Sequence, residues 1–147
     1  MSEELNKEDQ IVEEEVFDED GDLVEYDMEQ VLEDFRQAAL NMIKEKHPEL
    51  EGKIEEFKKN YGDVYVYMFT DDEFYIYRPI TRFEYKELTK GIEDYDEAAE
   101  KIVMKSVLYP TITDSMLNTL KAGIIPTLLE LILDASGFGV KNPVIQL

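Results

Sequence analysis

The chain of 147 residues contains no cysteine, no tryptophan and one histidine, His47. Without thiols there is no disulfide framework, no thiolate nucleophile and no Cys-His pair. With no thiol and one imidazole, zinc has no plausible ligand set. Any Ser-His-Asp arrangement would rest on His47 alone, which the pattern puts in an interhelical loop beside Pro48. Gly137-Phe138-Gly139 lacks the strand-loop-helix setting and third glycine of a dinucleotide site, and no Walker-type Gly-Lys-Ser/Thr occurs. Long apolar runs are missing too. The most apolar segment, residues 124–133, is too short to span a bilayer and contains Pro126 and Glu130. Residues 1–9 show no apolar signal region. The expectation is a soluble, non-catalytic protein with no cofactor, no metal and no membrane contact.

Basic residues are scarce. Fifteen Lys and Arg face thirty-five Asp and Glu, for a net charge of −20. Such a chain repels nucleic-acid phosphates, so direct DNA or RNA binding is not expected. The charge is uneven: residues 1–30 hold fourteen acids and one Lys, or −13, which leaves −7 for the other 117. Residues 1–26 read as an acidic, solvated arm. Asp20-Gly21 between the apolar pairs Val16-Phe17 and Leu23-Val24 allows a small hairpin there. An EF-hand is excluded, because Gly21 in the sixth loop position would put Val16 in the first. Carboxylate pairs are so common that none marks an acid–base site.

What the chain does have is aromatic. Residues 64–85 form its densest aromatic stretch. Val64, Val66 and Met68 alternate with Tyr65, Tyr67 and Phe69, the period of a strand. The polar Thr70-Asp71-Asp72-Glu73 fits a turn, and residues 74–77 resume strand-forming types, so an antiparallel hairpin is predicted. Pro79 ends its second strand. Val64, Val66, Phe74 and Ile76 are expected in the core. Tyr65, Tyr67, Tyr75 and Tyr77 are either core residues or a contact face, since tyrosine suits interfaces. Arg78 and Arg82 either bind an anion or pair with nearby acids. Thr81-Arg82-Phe83-Glu84 is a capping box that starts a short helix ending at Gly91.

Helical periods surround this hairpin. Asp27 caps a helix to about Lys46 with Val31, Leu32, Phe35, Ala38, Ala39, Met42 and Ile43 on one side, expected to pack as core. Pro48 opens a second helix with Leu50, Ile54 and Phe57 on one face, ending before Gly62. Asp94 caps a third, with Ala98, Ala99, Ile102, Val103, Ser106 and Val107 buried and Tyr109-Pro110 as its stop. Thr113 or Asp114 caps a short helix through Leu120. Pro126 suits the first turn of the last helix, Gly137 its C′ position, and Phe138 the apolar contact of that cap. The fold class is α+β: mainly short α-helices, five or six of them, around one antiparallel β-hairpin, with an acidic N-terminal arm. Residues 27–138 form one globular domain, and 139–147 a tail apolar enough to dock.

One further signal lies in the order of motifs. Phe74-Tyr75-Ile76-Tyr77-Arg78-Pro79-Ile80-Thr81-Arg82-Phe83-Glu84-Tyr85 is followed by an acidic helix. Then come Val107-Leu108-Tyr109-Pro110, Ala122-Gly123-Ile124, a Leu-rich helix and Ser136-Gly137-Phe138. Over residues 74–138 this order resembles the tail assembly chaperones of long-tailed bacteriophages. The resemblance implies a non-catalytic protein of the infected cell's cytoplasm that keeps the apolar, helical tape measure protein soluble during tail assembly. Another tail protein as partner, and self-association, are compatible with it. The contact residues proposed for such a partner are Tyr75, Tyr77, Arg78, Tyr85, Leu128, Leu131 and Ile132, chosen for aromatic and apolar character. The alternatives are a structural accessory subunit of the virion (baseplate, hub or connector) and, behind it, an acidic inhibitor or nucleic-acid mimic.

Overall fold

The computed structural model describes residues 16, 17, 19–21, 23, 24 and 27–147. Most of the expected acidic arm lies outside these residues. The chain divides into two compact units, residues 1–45 and 46–147.

In the first unit, β1 (Val16–Phe17) and β2 (Leu23–Val24) pair antiparallel, Val16 with Val24 and Phe17 with Leu23. The turn between them carries Gly21 at φ 81°, where a glycine is favoured. Helix α1 (Met28–Lys46) follows. Asp27 caps it, its Oδ1 accepting from the Glu29 amide at 3.0 Å. The expected core stripe is buried only at its end: Leu32 is 63 % exposed and Phe35 70 %, Ala38 is exposed too, and Val31, Ala39 and Met42 are half-buried; Met28, on the same side, is 64 % exposed. Ile43 is the buried residue of this helix. The physical reason is supply of cover. Among its described residues this unit offers one helix and two strands of two residues each, too little to bury a helical stripe.

The second unit opens with a 3₁₀ turn, Pro48–Leu50, and helix α2 (Lys53–Tyr61). One helix from Pro48 to Gly62 was the expectation. Gly52, at φ 85°, breaks it into two. The sheet has three strands: β3 (Tyr65–Met68), β4 (Phe74–Tyr77) and β5 (Val107–Tyr109), in the order β3-β4-β5 and antiparallel throughout. The hairpin register is the predicted one, with Val66 opposite Ile76 and Tyr67 opposite Tyr75. The third strand replaces the expected last turn of the Asp94 helix. Val107-Leu108-Tyr109 is β-branched and aromatic, and it pairs with Ile76 and Tyr77 instead of coiling. With neighbours on both sides, β4 buries all four of its side chains, whereas edge strand β3 exposes Tyr65 and Val66. Val66 is therefore not a core residue.

Helix α3 (Arg82–Thr89) has the predicted capping box: Thr81 Oγ1 accepts from the Glu84 amide, and Glu84 Oε1 accepts from the Thr81 amide. Helix α4 (Tyr95–Ser106) is capped by Asp94, and the short α5 (Asp114–Leu117) by Thr113. Helix α6 (Ile124–Ala135) ends in a Schellman motif. The Phe138 amide donates to the Leu133 carbonyl and the Gly137 amide to that of Asp134, with Gly137 at φ 91°. The core joins Tyr75, Tyr77, Ile80, Ile102 and Val103 to Ile124, Leu128 and Ile132. Sheet, α4 and α6 thus share one apolar interior. The tail was expected to dock. Instead Val140, Val144, Ile145 and Leu147 are all exposed, at 77 % or more.

Candidate interaction surface

Three of the motif pieces, Arg78 to Thr81, Glu84-Tyr85 and Ser136-Gly137-Phe138, meet in one corner of the second unit. Arg78, at the end of β4, is 7 % exposed. Its guanidinium grips Glu84 with two bonds, Nη1 to Oε1 at 3.0 Å and Nη2 to Oε2 at 2.7 Å. Nη1 also donates to the Pro79 carbonyl, and the group lies over the Tyr61 ring, 4.6 Å from its centre. Such a bidentate, stacked arrangement suits arginine and not lysine. The Arg78 hydrogen bonds hold the Glu84 carboxyl down at about 2, and the same bonds raise Arg78 further above its ordinary value. Arg78 therefore pairs with an acid and is not open to an anion.

Two serine hydroxyls secure the same segment. Ser106, fully buried, donates through Oγ to the Arg78 carbonyl, and the Arg78 amide donates to the Ser106 carbonyl at 3.0 Å. The Ile80 amide donates to Ser136 Oγ at 2.9 Å, and Ser136 Oγ donates in turn to the Ile132 carbonyl. Tyr85 and Phe138 then pack ring on ring with centres 5.0 Å apart. The Arg-Pro-x-Thr, Glu-Tyr and Ser-Gly-Phe pieces are one structural joint between β4, α3 and the end of α6.

That joint fixes an open groove of about 420 Å³. Leu129, Leu133 and the rings of Tyr95 and Phe138 supply its apolar lining, and Glu130 and Asp134 its charge. Pro126 and Gly139 complete the lining. On α6 these residues fall at i, i+3, i+4, i+7 and i+8 from Pro126, one helical face. The Schellman turn brings Phe138 back alongside Leu133. Tyr95, in the first turn of α4, is 73 % exposed. The lining is part apolar and part acidic, which suits an apolar segment of neutral or positive charge.

The contact residues read from the sequence sit elsewhere. Tyr75, Tyr77, Leu128 and Ile132 are buried in the core, and Arg78 is buried in its ion pair. They present no surface to a partner in this fold, because β4 is the central strand and 128 and 132 lie on the inward face of α6. Tyr85 and Leu131 are half-buried against the core. Burial pushes the Tyr75 hydroxyl up to about 12 and raises Tyr77 as well. The groove residues Tyr95, Leu133 and Phe138 were missed as contacts. Leu133 was signalled by the spacing of Pro126, Leu129, Glu130, Leu133 and Asp134, whereas Tyr95 and Phe138 come from outside α6.

A second cluster surrounds His47. Its ring meets Phe74 edge-on at 4.9 Å, and Nδ1 lies 3.1 Å from Glu49 Oε1. Tyr109 Oη donates to the same carboxylate at 3.4 Å. Hydrogen bonds from its own backbone and from His47 lower the Glu49 carboxyl, while burial raises Tyr109. Beside it on the chain, Lys46 pairs with Asp72 at 3.0 Å. Among the described residues, no group of three or more His, Asp or Glu is placed to hold a metal ion, and no helix is long and apolar enough to cross a membrane. No family model, curated protein or solved structure matches this chain.

Proposed function

We propose that this chain is a non-catalytic phage tail assembly chaperone that binds the tape measure protein and keeps it soluble while the tail forms. The single observation that carries the proposal is uncovered apolar surface on a strongly acidic protein. Met28, Leu32 and Phe35 stand in solvent on one side of α1, and the α6 groove offers the exposed rings of Tyr95 and Phe138 beside the half-buried Leu133. Exposed apolar patches of this kind mark interaction sites. An amphipathic helix of a partner is the natural complement of such faces, seated through residues at helical spacing. The charge of −20 keeps a complex with an aggregation-prone partner dispersed. Function in the host cytoplasm follows from the same proposal.

The experiment is co-expression of the tagged chain with the large helical protein encoded beside it. A soluble, co-purifying complex, with this chain missing from finished particles, is the expected outcome. Failure to bind, with the chain present in particles at fixed copy number, would move it to the role of a virion accessory subunit.

A further inference from the structure

The α6 groove and the segment that follows it are chemically matched. Residues 140–147 read Val-Lys-Asn-Pro-Val-Ile-Gln-Leu. Four of the eight are aliphatic, and all four are exposed. No acid occurs among them, although the chain holds thirty-five. Its one charged side chain is Lys141, which already pairs within its own copy with Asp134 of the groove lining.

The segment is also shaped to bind. Pro143 fixes its own φ and pushes Asn142 towards extended backbone, so less conformational freedom is lost on docking. Extended, it would lay Ile145 and Leu147, two residues apart and so on one face, against the leucines and aromatic rings that line the groove. Its own copy does not use it this way. Gly139 is part of the groove wall, and Lys141 ties the root of the segment to the rim. Beyond that tie Val144, Ile145 and Leu147 stand in solvent.

We propose that residues 142–147 of one copy, beyond the Lys141 tie, seat in the α4–α6 groove of a second copy, and that the chain self-associates by exchanging these segments. A two-fold pair satisfies both grooves at once, since each copy supplies one groove and one segment. The contact area is small, at the weak end of specific interfaces, so association belongs in the micromolar range or above. Two bodies of charge −20 repel each other, and added salt screens that repulsion. Self-association therefore strengthens as salt is raised. The inference stands without the chaperone proposal, because it concerns copies of this chain alone.

Sedimentation velocity on the full chain across a wide concentration range tests it, with two variants. Val144→Asp with Ile145→Asp spoils the segment and leaves the groove intact. Tyr95→Ala spoils an exposed groove wall and leaves the segment intact. Each variant should weaken self-association by about tenfold or more. Mixing the two should recover hetero-association, because one intact groove then meets one intact segment. Circular dichroism on each variant excludes unfolding as the cause. A chain that is monomeric at every concentration overturns the proposal. So does a dimer that ignores the Val144/Ile145 change. Protection of residues 144–147 from hydrogen exchange in a monomer would mean docking within one copy, and would overturn it as well.

Discussion

Helix α6 buries Ile124, Leu128, Leu129 and Ile132, whereas α1 leaves Met28, Leu32 and Phe35 in solvent. Both helices carry apolar residues at helical spacing. The difference lies in what each unit can lay over them. In the second unit a three-stranded sheet and α4 supply a matching apolar surface. In the first, the described residues supply two strands of two residues each. Helical period tells which side chains share a face. Whether that face is covered is decided by elements elsewhere in the chain.

The comparison is broken most directly by equal truncations in the two helices. Leu128→Ala should cost about 3 kcal/mol in urea unfolding, because Leu128 is fully buried and the cavity cannot be filled by solvent. Phe35→Ala should stay within about 0.5 kcal/mol. If the two losses were alike, α1 would have to be a core helix.

Next in size is the joint that holds the second unit. Glu84→Gln leaves the Arg78 guanidinium buried beside a neutral amide and should cost about 2 kcal/mol at neutral pH, allowing for partial exposure of the carboxylate. Its pH dependence follows in sign. The carboxyl is held at about 2 in the fold against an ordinary 4.5, so the folded state favours the charged form. That stability is complete above 4.5 and disappears as pH falls toward 2. The Gln variant should show a flatter acid limb in unfolding measured against pH. An unchanged limb would locate the acid sensitivity in other carboxylates.

A smaller effect is expected at alkaline pH. Tyr75 is held protonated up to about 12, while its unfolded form ionises near 10. Stability should therefore fall as pH rises from 10 to 12, and Tyr75→Phe should remove part of that fall. The smallest loss is expected for Ser136→Ala, which deprives the Ile80 amide of its acceptor, at about 1 kcal/mol. Absence of any loss would indicate that water takes the place of the hydroxyl.

Local features were legible in the sequence because their causes are local. The Thr81–Glu84 capping box, the Asp94 and Thr113 caps and the Gly137 turn each rest on residues within a few positions of one another. The hairpin register was legible for the same reason. Strand β5 was not, since Val107-Leu108-Tyr109 continues a helical stripe and becomes a strand only because β4 has a free edge beside it. That one omission also misplaced Tyr75 and Tyr77. Beside a single neighbour a row of tyrosines can face outward; in a central strand it is enclosed. The groove was half legible. Its face was written in the spacing along α6, but its flanks come from Tyr95 and Phe138, which the fold brings in from α4 and from beyond the cap.

The double stitch at residues 78–80 has a kinetic side. The Arg78 amide and carbonyl both bond Ser106, and the Ile80 amide bonds Ser136, so the ends of α4 and α6 are fastened to a segment that belongs to neither. None of the three can fray alone without orphaning a polar group on another. The amides of Arg78, Ile80 and the last turn of α6 should therefore exchange with solvent at one common rate, set by opening of the whole unit and not by local breathing.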